Sequence, residues 1–414
     1  MPSQNEINIS AIFVDIEDST GIANHFKTKE YRNFLESFHK VVAEVLAEEV
    51  WEPILDDHCH KFLGDEFMAF LPASSFKSKA VAKSLELTTK LKLAWYISKE
   101  NKERFDSDKE IIELNVGINF GSVSRMLYPV LKRKPNAESE KIILEGFPIT
   151  LAKRAQGVAE EGIASRIVLA DRAYREYINE TDRGHEFSYV GRRQLKGLSQ
   201  SLSCYEWLGD DFTYLNNIFK NSDVKNVLIT LYEKNPLNPW YASLLAHYYF
   251  RKAEDEWYKG NVKNDWYIET SSVCLQAIQT ITRSSIRLRT LSSLLLTCLE
   301  VLERWAELGY RAEQAFNDDP TFADALALKS KAHLGQYFLT TEKYHLEDAK
   351  KEAERVITLF IGGSKNEPEA LFNAYLISYF YYTEKGNESN AVDVLTQAVK
   401  HAKEAELKWA FDEF

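Results

Sequence analysis

The sequence predicts an α+β domain over residues 1–208 and an all-α domain over residues 209–414. Short apolar runs and amphipathic helical patterns alternate up to about residue 208. Strand signals then stop after Asp210, and the remainder is helical and aromatic-rich. A chain of 414 residues is also too long for one ordinary core and suits two domains.

The elements follow in order. IFVDI (12–16) reads as a buried strand, and a long helix is expected after it, with Phe34, Phe38, Val42 and Val45 at spacings of four, four and three. HKFLGDEFMAFLP (60–72) predicts two strands around a tight turn at Gly64-Asp65. Residues 76–97 form a second amphipathic helix, and ELNVGINFGSV (113–123) a strand that ends in glycines. The basic, polar segment 132–141 reads as an arm. FPITLAKRAQGVAEE (147–161) is a helix with Pro148 in its first turn. RIVLA (166–170), FSYVGRRQLKG (187–197) and LSCYEWL (202–208) close the domain as strands. Helices packed on a largely antiparallel sheet define the α+β class. Farther on, Ala349, Ala353, Val356 and Ala391, Leu395, Ala398 recur at spacings of four then three. Each set marks the second helix of a hairpin that opens after Pro320 or Pro368. The pattern resembles tetratricopeptide repeats with an irregular period. An ordinary helical bundle or solenoid fits equally well, and both predict stacked hairpins.

Composition excludes several functions. The formal net charge is −11, which argues against nucleic-acid or anionic-membrane binding, since both need basic surface. The start, MPSQNEINIS, has no apolar run of a signal peptide. No stretch reaches the roughly 20 apolar residues of a membrane span. Cys59, Cys204, Cys274 and Cys298 are far apart and form no CxxC pair, as expected for thiols in a reducing cytoplasm. His58-Cys59-His60 looks like a metal motif, but alternate strand side chains point to opposite faces and cannot converge on one ion.

Two carboxylates stand out. Asp15 lies at the end of the first strand in FVDIEDST, and Asp65 in the turn of KFLGDEF. If the strands are neighbours, the two can converge on a hard cation such as Mg2+ or Mn2+. The next helix starts with Ser19, Thr20 and Gly21, whose amides and dipole suit a triphosphate. Taken singly, Asp15 and Ser19 read as helix caps and Asp65 as a turn residue. Their combination carries more weight.

FVDIEDST, KFLGDEFMAF, LNVGINFGSV, a helix with an arginine, and QLKGLSQSLSCYEW follow the motif order of class III adenylate and guanylate cyclases, which residues 9–208 resemble. The resemblance implies a ferredoxin-like catalytic domain that turns a nucleoside triphosphate into a 3′,5′-cyclic monophosphate. It implies two divalent cations, Mg2+ or Mn2+, held by Asp15, Asp65 and the backbone carbonyl of Ile16. By the same resemblance Arg154 is the transition-state arginine, Lys196 binds the triphosphate and Lys61 contacts the base. Two positions depart from the family pattern. Thr150 stands where the family has a ribose-orienting asparagine, and Ile143 where adenylate cyclases have an aspartate that reads adenine. The metal site and the arginine come from different subunits in the family, so a head-to-tail homodimer with two shared sites is expected.

Isoleucine cannot accept a proton from the adenine amino group. The resemblance is then nearest in character to the pyrimidine cyclases of Pycsar antiphage defence, which make cyclic UMP or cyclic CMP as an alarm signal. UTP is the expected substrate and CTP the second, with Ile143 and Trp51 candidates to fill a pocket sized for a pyrimidine. An adenylate cyclase with a relaxed base pocket is the alternative among enzymes, and a catalytically dead, nucleotide-sensing cyclase fold the alternative outside them. LGDEF is also similar to the GGDEF motif of diguanylate cyclases, but DIEDST departs from that family's first motif. The helical half carries no cyclase motif and is expected to regulate, or to recruit a protein partner.

Overall fold

The computed structural model describes residues 6–54, 59–107, 109, 111–129, 140–181, 184–194, 201–209, 212–221, 223–261, 264–281, 289–361 and 368–405. The strands are β1 (Glu6–Ile16), β2 (His60–Leu63), β3 (Glu66–Pro72), β4 (Leu114–Pro129), β5 (Glu140–Glu145), β6 (Ile167–Ala170), β7 (Phe187–Arg193) and β8 (Leu202–Trp207). They form one sheet in the order β2-β3-β1-β4-β6-β8-β7, with β5 paired to the far end of β4. All pairings are antiparallel except β4–β6. Among the described residues this is the mixed sheet of an α+β domain, followed by a helical region.

The strand-and-turn expectation at 60–72 holds. Gly64 has φ +69°, a left-handed conformation that glycine adopts without a Cβ clash, and it lets β2 fold tightly back onto β3. The expected long helix after β1 is instead two: α1 (Ser19–His25) and α2 (Thr28–Leu46). Phe26 leaves the helical region at φ −97°, ψ 146°, and Glu30 accepts from the backbone N–H of Lys27 to start α2 afresh. Next come α3 (Ala80–Tyr96), α4 (Lys99–Asp106), α5 (Phe147–Ala159) and α6 (Asp171–Thr181).

Strand alternation gives the sheet two different faces. One is covered by α3 and α6: the Ser84 hydroxyl donates to that of Ser10 at 2.7 Å, and α6 packs on β4, β6 and β8. The other face carries Ile9, Ala11, Phe13, Met68, Phe70 and Val123, which pack with Ala152 of α5. Helix α5 sits very close to the sheet. A Cβ added to Gly117 would fall 2.1 Å from the Gln156 nitrogen and 2.2 Å from the Ala152 oxygen. The glycine of NVGIN therefore fixes how near α5 lies to β1 and β4.

The chain divides into two compact units, Met1–Leu245 and Ala246–Phe414. The first includes α7 (Asn216–Phe219), α8 (Val224–Lys234) and the start of α9 (Pro239–Tyr258). Phe212, Leu215, Phe219 and Trp240 are buried. The rings of Phe212 and Trp207 meet at 5.8 Å, those of Trp240 and Tyr96 at 6.0 Å. Asn238 donates to the carbonyl of Ala164 at 3.1 Å. Beneath this segment lies a buried charge cluster. Lys92 donates to Glu113 at 2.6 Å and to the carbonyl of Leu114 at 2.7 Å. Tyr96 donates to the same carboxylate at 2.8 Å, and so does Tyr241. Burial lowers the Lys92 ammonium and works to raise Glu113, but the Lys92 charge and these hydrogen bonds outweigh burial and keep Glu113 ionised.

The second unit is helical throughout its described residues. It holds the rest of α9 and then α10 (Asp265–Ile281), α11 (Arg289–Val301), α12 (Trp305–Asp318), α13 (Ala323–Thr340), α14 (Lys343–Phe360), α15 (Pro368–Glu384) and α16 (Glu388–Glu404). From α10 onward each helix packs on the next. Ala349, Ala353 and Val356 are fully buried, as are Ala398 and nearly all of Ala391, while Leu395 is half-buried. No described helix is long and apolar enough to cross a membrane.

Candidate active site

The site is built at the end of β1. Asp15 pairs directly with Glu66 of β3 and with Asn115 of β4. The carboxyl of Asp65, in the β2–β3 turn, comes within hydrogen-bonding reach of Asp15. Burial pushes the Asp15 carboxyl up to about 6; the neighbouring Lys153 charge works against this, and Asp65 and Glu66 add to it. The Tyr31 hydroxyl of α2 is raised by burial and by the charges of Asp65 and Asp15. Lys153 of α5 lies 2.5 Å from Glu66 Oε2 and 3.7 Å from Asp15 Oδ2. Asn115 is buried, and its Oδ1 has no hydrogen-bond partner among the described residues.

This donor set fits a divalent cation. Mg2+ keeps several waters and is commonly held by one or two carboxylates together with substrate phosphates. Asp15 and Asp65 supply the carboxylates, and the orphaned Asn115 oxygen adds a neutral acceptor beside them. Among the described residues no three His, Cys, Asp or Glu side chains form a ready-made cage. His60 donates from Nδ1 to the carbonyl of Ile54 at 2.8 Å and Cys59 is buried, while His58 lies outside the described residues.

The other expected residues are placed as follows. Thr150 and Arg154 lie one turn apart on α5, Thr150 exposed and Arg154 half-buried. Arg154 Nε is buried without a hydrogen-bond partner among the described residues. Ser19 and Thr20 open α1, but its cap is Asp18, whose carboxylate accepts from the Gly21 amide at 3.2 Å. The Gly21 amide expected to be open to phosphate is thus already engaged. Lys61 pairs with Met68 and so shares the α5 face of the sheet with Asp15, where it is exposed. Ile143 pairs with Met126, while its neighbour Leu144 packs in the α5-face core. By alternation Ile143 points away from that core. Trp51 is fully buried against Phe76 and Lys90 and cannot line a base pocket. Lys196, and with it most of the LKGL segment, lies outside the described residues, as does most of the arm at 132–141.

Three site residues escaped the sequence reading: Glu66, Lys153 and Asn115. Glu66 and Lys153 each sit beside a residue that was identified, Asp65 and Arg154. Asn115 lies within LNVGINFGSV, where only the strand pattern was read.

Residues 1–209 match the model of the adenylate and guanylate cyclase catalytic domain. Solved structures similar to the chain include the adenylyl cyclase CyaB of P. aeruginosa, at 15% identity over 50% of this chain and 95% of that one, with a TM-score of 0.38. The guanylate cyclase domain of RhGC from Catenaria anguillulae, in complex with GTP, is 16% identical over 48% and 96%, with a TM-score of 0.36. Adenylate cyclases from Trypanosoma brucei are 15% identical over 48% and 89%, with a TM-score of 0.35. A search of curated proteins gave no match. With half its length matched, the chain belongs to the adenylate and guanylate cyclase catalytic-domain family.

Proposed function

We propose that the chain converts UTP, and secondly CTP, to the 3′,5′-cyclic monophosphate and pyrophosphate, with the chemistry carried by residues 1–208. The observation that carries the enzymatic reading is the convergence of Asp15, at the end of β1, and Asp65, in the turn leading into the neighbouring β3, in a chain of the cyclase family. Asp15 and Asp65, with the Ile16 carbonyl, would hold the divalent cations. Such ions acidify the ribose 3′-hydroxyl and offset triphosphate charge. In the reaction a bond forms between O3′ and the α-phosphorus, the bond to the β-phosphate oxygen breaks, and pyrophosphate leaves. The Arg154 guanidinium of a second copy, in a head-to-tail homodimer, stabilises charge on the α-phosphate oxygens. Lys196 holds the triphosphate, with Ser19 and Thr20 at its edge, and Thr150 takes the ribose contact through its hydroxyl.

The base assignment rests on Lys61. An ammonium only donates hydrogen bonds, uracil presents an acceptor at O4, and cytosine presents an amino donor there. Its exposed position on the Asp15 face supports this reading. Ile143 contributes only the lack of an acceptor for adenine. A cyclic pyrimidine nucleotide would serve as an alarm signal for a separate effector in antiphage defence. The buried thiols suit the cytoplasm. The stacked helices of the second unit would form a tetratricopeptide-like platform for a protein partner.

The test of the enzymatic reading is pyrophosphate release with Mn2+. Wild type should release it, and Asp15→Ala should lose essentially all turnover while keeping its circular dichroism spectrum. No release from folded wild-type protein with any nucleoside triphosphate would favour a nucleotide-sensing fold instead.

A further inference from the structure

We propose that Lys153 is an internal counter-cation that competes with divalent metal for Asp15, so that metal fills the site only by displacing it. The inference rests on the reading of Asp15 and Asp65 as metal ligands. Strand pairing sets Asp15 and Glu66 directly opposite each other, and Asp65 reaches Asp15 from the turn. Three carboxyl groups in one corner repel one another unless a cation lies among them. Among the described residues Lys153 is the basic side chain ion-paired there, delivered by α5, whose closeness to the sheet Gly117 permits.

Its two contacts are unequal. At 2.5 Å from Glu66 the ammonium makes a short, charge-assisted hydrogen bond, and at 3.7 Å from Asp15 it makes only an ion pair. Glu66 therefore anchors the lysine and Asp15 is the contact it can release. A metal arriving at Asp15 and Asp65 meets a positive charge already neutralising Asp15, and binding costs the loss of that pair. Lys153 would thereby set the cation concentration at which the site loads. Its neighbour Arg154 has a buried Nε with no hydrogen-bond partner among the described residues, so adjacent residues of α5 would serve different tasks.

The test is Mn2+ binding to the full chain without nucleotide, read by electron paramagnetic resonance of free Mn2+. Lys153→Met keeps the length of the side chain and removes its charge. The side chain is 38% exposed, so screening limits the effect to about threefold to tenfold tighter binding. Lys153→Arg keeps the charge and should bind as wild type does. Asp15→Asn should abolish the gain when combined with Lys153→Met. Unchanged or weaker binding in Lys153→Met, or equal tightening in Lys153→Arg, overturns the inference. If Asp15→Asn alone still weakens binding in that case, the metal reading stands. If Asp15→Asn changes binding in neither background, both readings fall.

Discussion

Replacing Lys92 by methionine removes one half of a buried ion pair and keeps most of the apolar stem. The Lys92 side chain is 1% exposed and its Glu113 partner 8%, at 2.6 Å. Removing one partner of such a pair costs about 3–5 kcal/mol, because the other charge stays buried without it. Glu113 would retain the Tyr96 and Tyr241 hydroxyls and the Leu114 amide at 3.3 Å. The loss should therefore fall near the lower end, about 3 kcal/mol, a large share of the about 5–15 kcal/mol that stabilises a typical domain. In urea, with a slope of about 3 kcal/mol per molar, the midpoint should drop by about 1 M. Trp95 and Trp240 lie near this cluster, so tryptophan fluorescence follows the transition. The double substitution Lys92→Met with Glu113→Leu, which leaves no buried charge, should recover most of the loss. A loss below about 1 kcal/mol for Lys92→Met, or a double variant weaker than the single, would refute the reasoning. The cluster also touches the site, since the Glu113 carbonyl accepts from the Glu17 amide at 2.9 Å, two residues beyond Asp15.

Two further outcomes are expected, the first from the proposed homodimer and the second from the extent of the first unit. Asp65→Ala and Arg154→Ala should each be inactive, and a mixture allowed to exchange subunits should regain part of the activity, because one site of the mixed dimer is intact; verified exchange without recovery would rule out shared sites. A fragment ending at residue 210 should fail to fold stably, because it loses Phe212, Leu215 and Phe219, each worth about 1.5–3 kcal/mol when buried, together with Tyr241. A fragment ending at residue 260 should stay folded by circular dichroism; equal thermal midpoints for the two would contradict the extent assigned to the first unit.

Much of this fold was legible because local chemistry and global fold agree at each step. The apolar run at 12–16 reads as a buried strand and Gly64-Asp65 as a turn, and β1 and the β2–β3 hairpin bear both out. The break at Phe26 was hidden because the helical period runs on through it, and only the Glu30 contact with the Lys27 amide reveals the restart. Asp15 and Asp65 were legible from spacing, since a strand end and a hairpin turn meet if their strands are neighbours. Lys153 was not, because a helix's apolar period says which residues face the core and not which long side chain bends toward a carboxylate. Trp51 was misplaced for a related reason: an aromatic side chain named from sequence carries no sign of what covers it, and Trp51 is buried against Phe76 and Lys90. The segment 212–245 was assigned away from the sheet because it is helical, yet its aromatic residues complete the core of the first unit.

The most direct test of the account is a competition among equal concentrations of ATP, GTP, CTP and UTP with the full chain and Mn2+, with products identified by mass spectrometry. The account predicts cyclic UMP as the main product and cyclic CMP second, at a ratio of about two powers of ten or more if Lys61 meets the base in a dry pocket. A dominant cyclic CMP would overturn the argument from Lys61 alone. A dominant cyclic AMP or cyclic GMP would contradict the pyrimidine assignment itself.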